Sequence, residues 1–176
     1  MSVQTTPSTI GAVIDYWVAT LTAAFDGGFG SGLYGAGTYG GDKTTYVIDG
    51  PLGGMAIDEF QAIVCIGASE HDDGGDDNQG TNGTQAWRWV GAQSRTETYD
   101  IPCFVLTADG SSLKTCRDRC LAVHAQVVAA VQADKTSGGL VDVSTTITGQ
   151  DFYQQANSDG WTCTFRFNIQ VQNVIR

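Results

Sequence analysis

The clearest pattern of apolar and polar positions lies near the start of the chain. At 100° per residue, Ile10, Val13, Ile14, Trp17, Val18, Leu21, Ala24 and Phe25 fall on one side of a helical projection. Ala12, Asp15, Tyr16, Ala19 and Ala23 fall opposite. Ser8 or Thr9 supplies a side-chain oxygen for an orphan amide, so the spacing predicts a helix from there to about Phe25. A second helix is predicted over about Ser112 to Ala133. Leu113, Cys116, Cys120, Leu121, His124, Val127, Val128 and Val131 share its apolar side, and Lys114, Asp118, Ala122, Gln126 and Gln132 take the other. Gly138-Gly139 follows as a stop. Arg117 falls at the centre of the apolar arc, where a lone cation is costly. A carboxylate partner or a subunit contact is expected for it.

Elsewhere the period is two. Tyr99, Ile101, Cys103 and Val105 alternate with Thr98, Asp100 and Pro102. Near the C-terminus, Trp161, Cys163, Phe165, Phe167, Ile169 and Val171 alternate with Thr162, Thr164, Arg166, Asn168 and Gln170, the strongest such run in the chain. Further strands are predicted over Thr44 to Ile48, Gln61 to Ala68, Thr84 to Val90 and Leu140 to Thr148, with Gly91 to Ser94 as a hairpin turn into Arg95 to Leu106. Pro102 cannot donate to a ladder, which predicts an edge position or a bulge. The sum is one α+β domain over residues 1–176: a mainly antiparallel sheet with two helices packed on one face.

Two stretches stand outside both periods. In Gly27 to Gly41, Gly30-Ser31-Gly32-Leu33-Tyr34 is echoed by Gly35-Ala36-Gly37-Thr38-Tyr39. So much glycine cannot hold a helix, and the stretch is expected to be a flexible arm that orders against a neighbour, with Tyr34 and Tyr39 as contact residues. Glu70 to Gly83 is an acidic loop carrying Glu70, Asp72, Asp73, Asp76 and Asp77.

Charge narrows the partners. Nine Lys and Arg stand against 19 Asp and Glu, a formal net charge of −10. That balance works against gripping a nucleic-acid backbone, which needs clustered cations. It is compatible with a surface past which DNA slides, and the acidic loop is a candidate lining for it. No apolar run approaches the roughly 20 residues of a membrane span. Met1 to Pro7 lacks the basic flank and apolar stretch of a secretory signal. The five cysteines, Cys65, Cys103, Cys116, Cys120 and Cys163, are an odd set in apolar segments, so buried reduced thiols are expected.

Candidate chemistry is sparse. Gly30/Gly32/Gly35 and Gly35/Gly37/Gly40 match the spacing of a dinucleotide fingerprint, but a helix precedes them and a strand follows, the reverse of what a pyrophosphate site needs. Cys116, Cys120 and His124 repeat every four residues, as zinc ligands can, yet Leu113, Val127 and Val131 make the same stripe a core face. The acidic loop could take calcium, but its order fits no calcium-loop spacing. No G-x-S-x-G elbow surrounds any serine, and the two histidines, His71 and His124, stand in the acidic loop and on the helix stripe. No enzyme, cofactor or metal is expected.

The order of these pieces resembles the tail terminator proteins of long-tailed, non-contractile bacteriophages. The likeness rests on the first helix leading to Val47-Ile48-Asp49-Gly50-Pro51, on Trp87-Arg88-Trp89-Val90-Gly91-Ala92 running into Glu97-Thr98-Tyr99-Asp100-Ile101-Pro102, on Arg117-Asp118-Arg119, on Gly138-Gly139 and on the long last strand. The resemblance covers most of the chain and implies a virion protein made in the host cytoplasm. It also implies a homohexameric ring that caps the tail tube, ends its elongation and joins the head connector or stopper protein, with DNA passing through the channel. It implies no catalytic residue. The alternatives are another neck or tail component, such as a stopper or tube subunit, or a small module that binds carbohydrate through Trp87, Trp89, Tyr34 and Tyr39 beside calcium on the acidic loop.

Overall fold

The computed structural model describes residues 8–26, 34–39, 43–50, 62–68, 82–87, 94–158 and 160–175. Helix α1 is Ile10–Asp26. The Ser8 hydroxyl accepts from the Ile10 amide at its start, and Val13, Trp17, Leu21 and Phe25 form its buried line. Strands β1 (Tyr34–Tyr39), β2 (Lys43–Asp49), β3 (Ala62–Ile66), β4 (Asn82–Trp87) and β5 (Arg95–Asp109) follow, then helix α2 (Leu113–Ala133) and strands β6 (Ser144–Asn157) and β7 (Gly160–Ile175). The fold is α+β, with one mostly antiparallel sheet ordered β1-β2-β3-β5-β7-β6. Among the described strands, only β2 and β3 pair in parallel. β4 lies beside the first half of β5, on residues 95–100, while β3 takes residues 103–107.

Both helices pack on one face of the sheet. Their buried side chains join Val47, Val64, Tyr99, Ile101, Val105, Phe165, Phe167, Ile169 and Val171 in the main core. The other face carries a second buried cluster of Ile48, Ile63, Cys65, Ala68, Phe104 and Leu106, to which neither helix contributes. β3 is therefore buried on both faces, and its unbroken Ala-Ile-Val-Cys-Ile is the pattern of a strand in a parallel pair rather than the alternation of a half-solvated one.

The end of α2 is tied back to α1 through the turn at 134–143. The Trp17 Nε1–H donates to Ser137 Oγ at 3.1 Å, and that hydroxyl lies 2.8 Å from Thr145 Oγ1. The Asp134 carboxylate accepts from the Tyr16 hydroxyl, from the Thr136 amide and hydroxyl, and from the Gly138 amide. Those bonds, the Tyr16 bond foremost, hold its pKa well below the usual carboxylate range. Gly138 is required here, since its φ is +69° and a Cβ would meet the Tyr16 ring at 2.6 Å.

Three expectations need correction. Pro102 is neither at an edge nor in a bulge of β5, which is a central strand. It stands where the partner on one flank changes from β4 to β3, and its carbonyl accepts from the Gly67 amide. The missing N–H therefore falls at a break in the ladder. The strand before the last begins at Ser144 and runs on to Asn157, far past Thr148, because a bulge between Thr148 and Asp151 resets the alternation. Finally, residues 34–39 of the glycine-rich stretch are strand β1, paired within the chain from Tyr34↔Ile48 to Tyr39↔Lys43. The remainder of that stretch lies outside the described residues.

Candidate assembly surface

The buried cation of α2 is Arg119, not Arg117. Arg119 is 6% exposed; its guanidinium donates to Ala108 O at 3.0 Å and to the Asp109 carboxylate at 3.1 Å. The other Asp109 oxygen accepts from the Ser111 amide and hydroxyl and from the Ser112 amide. Burial alone would raise the Asp109 pKa, but those bonds and the nearby guanidinium outweigh it and bring it down to about 2. Ser112 in turn caps α2, accepting from the Thr115 amide. Arg117 sits at the margin of the packed face with its side chain 40% exposed, 3.5 Å from Asp118. Val123 is buried and Leu121 is 41% exposed, so the packed face of α2 is rotated by part of a turn from the predicted one.

The cysteine and histidine stripe of α2 is a core face. Cys116 Sγ points at Thr107 O and Trp161 O, and Cys120 Sγ at Val105 O. All five cysteines are buried thiols, and burial pushes those of Cys103 and Cys163 up to about 12, far from nucleophilic poise. Among the described residues no group of three or more His, Cys, Asp or Glu could hold a metal ion, and no helix is long and apolar enough to cross a membrane.

His124 stacks on Phe165 at 3.8 Å and meets Phe167 edge-on at 5.2 Å. Its Nε2 is buried without a hydrogen-bond partner among the described residues, and burial lowers its pKa to about 4. The unfolded chain therefore binds this proton more tightly than the folded one. The contribution is absent as a penalty above about pH 6.5, grows as the pH falls and is complete near pH 4. We expect stability to drop by about 3 kcal/mol across that window. Urea midpoints measured from pH 7.5 to 4 should fall in the native chain and much less in His124→Phe; parallel slopes would refute this.

The surface carries more of an assembly signature. The sheet order ends on β1 at one side and β6 at the other. Among the described residues four large apolar side chains are exposed, and three of them (Leu140, Val143 and Tyr153) stand on β6 or in the turn that leads into it. Tyr153 is held under the guanidinium of Arg166, whose carbon lies 4.6 Å from the ring centre. Aromatic and arginine side chains of this kind are the usual anchors of protein interfaces.

Tyr34 and Tyr39 are the first and last residues of β1, at the opposite end of the sheet from β6. The acidic residues Glu70, Asp72, Asp73, Asp76 and Asp77 lie outside the described residues, as does Trp89. The sequence reading missed β6 as a surface, because Phe152, Tyr153, Gln154 and Gln155 follow the bulge and break the earlier alternation. The signal that could have found them is the six-residue run Phe152 to Asn157 without a single charge. No protein-family model matches the chain, and no curated protein matches it at a significant level.

Proposed function

We propose that the chain is a tail terminator of a long-tailed, non-contractile bacteriophage. Copies of it form a homohexameric ring that caps the tail tube, ends its elongation and then meets the head connector or stopper protein. The observation that carries the reading is a sheet whose described strands end on β1 at one side and β6 at the other, with exposed apolar side chains on β6 and in the turn before it. Two different edges on one subunit suit a head-to-tail contact, which closes into a ring when the rotation between neighbours divides a full turn. Such edges are a liability in a protein that stays alone and an asset in one that assembles.

The resemblance in the order of elements adds to this support. The first helix, the strand Glu97 to Pro102, the helix bearing Arg117-Asp118-Arg119 and the long last strand stand in that order along the chain. A net charge of −10 suits a channel through which DNA passes without adhering. The reading is tested by the mass of the purified protein at rising concentration, with negative-stain images of the same samples. Closed rings of uniform diameter are expected. Open filaments would favour a tube subunit instead, because they arise when the same head-to-tail contact fails to close.

A further inference from the structure

The strand directions around the sheet constrain how two copies can join, given the ring reading on which this inference rests. β1 is antiparallel to β2, β2 parallel to β3, β3 antiparallel to β5, β5 to β7 and β7 to β6. Following these reversals, β1 and β6 run in the same direction at opposite ends of one sheet. A cyclic operator whose axis lies along the strands preserves their direction. Hence β6 of one copy meets β1 of the next in parallel, whereas antiparallel pairing of an edge with its own kind requires a two-fold axis and stops at a dimer.

The edges are also matched in length and chemistry. The start of β6 is capped from within the chain, because the Thr145 amide donates to Lys135 O at 2.8 Å. Past the bulge, Asp151 to Asn157 is a straight run with no described segment on its outer side. Asp151 is the single charged residue of β6, and it stands in register with Arg166 of β7. β1 is Tyr-Gly-Ala-Gly-Thr-Tyr, six residues without a charge. In a chain with 19 acidic and 9 basic residues, copies repel one another through most of their surface. The two edge segments carry one carboxylate between them, Asp151, so their backbones can approach without bringing carboxylates of two copies together. Edges meant to stay unpaired commonly carry lysine or proline, and neither occurs in 34–39 or 144–157.

We propose that Asp151–Asn157 of one copy pairs in parallel with Tyr34–Tyr39 of the next, so that the sheet runs without interruption around the ring. Tyr153, stacked on Arg166, then lies along the seam.

Cysteine cross-linking tests this directly. Ala36→Cys and Gly37→Cys are each combined with Gln154→Cys and Gln155→Cys, since adjacent residues of a strand point to opposite faces. The doubles are oxidised with copper-phenanthroline, which accepts the two electrons as each pair of thiols becomes a disulfide. Within one copy these positions sit at opposite ends of the sheet and cannot join, and the native cysteines are buried. At least one combination should give a ladder of disulfide-linked species that stops at the ring size, while the single variants give none beyond dimers. Gln154→Lys with Gln155→Lys, both at exposed positions, should keep the thermal midpoint of the monomer and reduce ring formation at least tenfold. Rings in the microscope with no ladder from any combination would overturn the edge pairing and leave the ring reading standing. A product confined to dimers through Gln154→Cys or Gln155→Cys alone, with no rings, would overturn both.

Discussion

Replacing Trp17 with alanine should destabilise the protein by about 3–5 kcal/mol, a large part of the 5–15 kcal/mol typical of a domain. The side chain is fully buried between α1 and the sheet. Its loss leaves a cavity that the neighbouring strands can close only in part. It also removes the indole donor from Ser137, a residue held at φ +50°. That conformation is uncommon for a residue with a side chain and persists because the surroundings fix it. Trp17→Phe keeps most of the apolar volume and should cost less than half as much, since Ser137 retains Thr145 as a partner. Urea unfolding followed by far-ultraviolet circular dichroism reads both variants. A loss below about 1 kcal/mol for the alanine variant would mean that α1 is not packed as described.

The second large effect belongs to Asp109. In Asp109→Ala the Arg119 guanidinium stays buried with one carbonyl and no carboxylate, and the Ser111 and Ser112 amides lose their acceptor. Breaking a buried pair from one side costs about 3–5 kcal/mol. Arg117→Ala, two residues from Arg119, should stay within about 0.5 kcal/mol because its contact with Asp118 is exposed. The contrast between Arg117 and Arg119 tests which cation the fold depends on. Asp109 also adds an acid limb distinct from that of His124. Its folded pKa, about 2, is below its unfolded value, so its contribution is complete above about pH 4 and is lost as the pH falls through 2. In Asp109→Ala that limb should flatten while the limb between pH 6.5 and 4 remains; unchanged curvature below pH 4 would contradict the assignment.

Periodicity located both helices within a residue or two and the last strand from Trp161 to Val171, short of its end at Ile175, since each presents a long apolar line to a single core. It placed Arg117 in the core for a physical reason. An arc drawn on a helical wheel weights apolar neighbours, whereas Arg119 is drawn inward by Asp109 and the Ala108 carbonyl, which lie at the end of β5. Pro102 was misplaced because a single residue cannot reveal that β3 and β4 share one flank of β5. β6 was cut short at Thr148 since a bulge shifts the parity of everything after it. The second buried cluster around Phe104 was illegible for a similar reason: an unbroken apolar pentapeptide does not say which faces of its sheet are covered. The candidate surface emerged only with the sheet order, which puts β1 and β6 at its two limits.

The most direct test of the terminator reading is to add the purified chain to tail tubes growing from purified tube protein and to image the products by negative stain. The account predicts a ring-shaped cap at one end of each tube and arrested growth, with a narrower length distribution as the concentration rises. Tubes that lengthen unchanged with bare ends, or incorporation of the chain along their whole length, would contradict it.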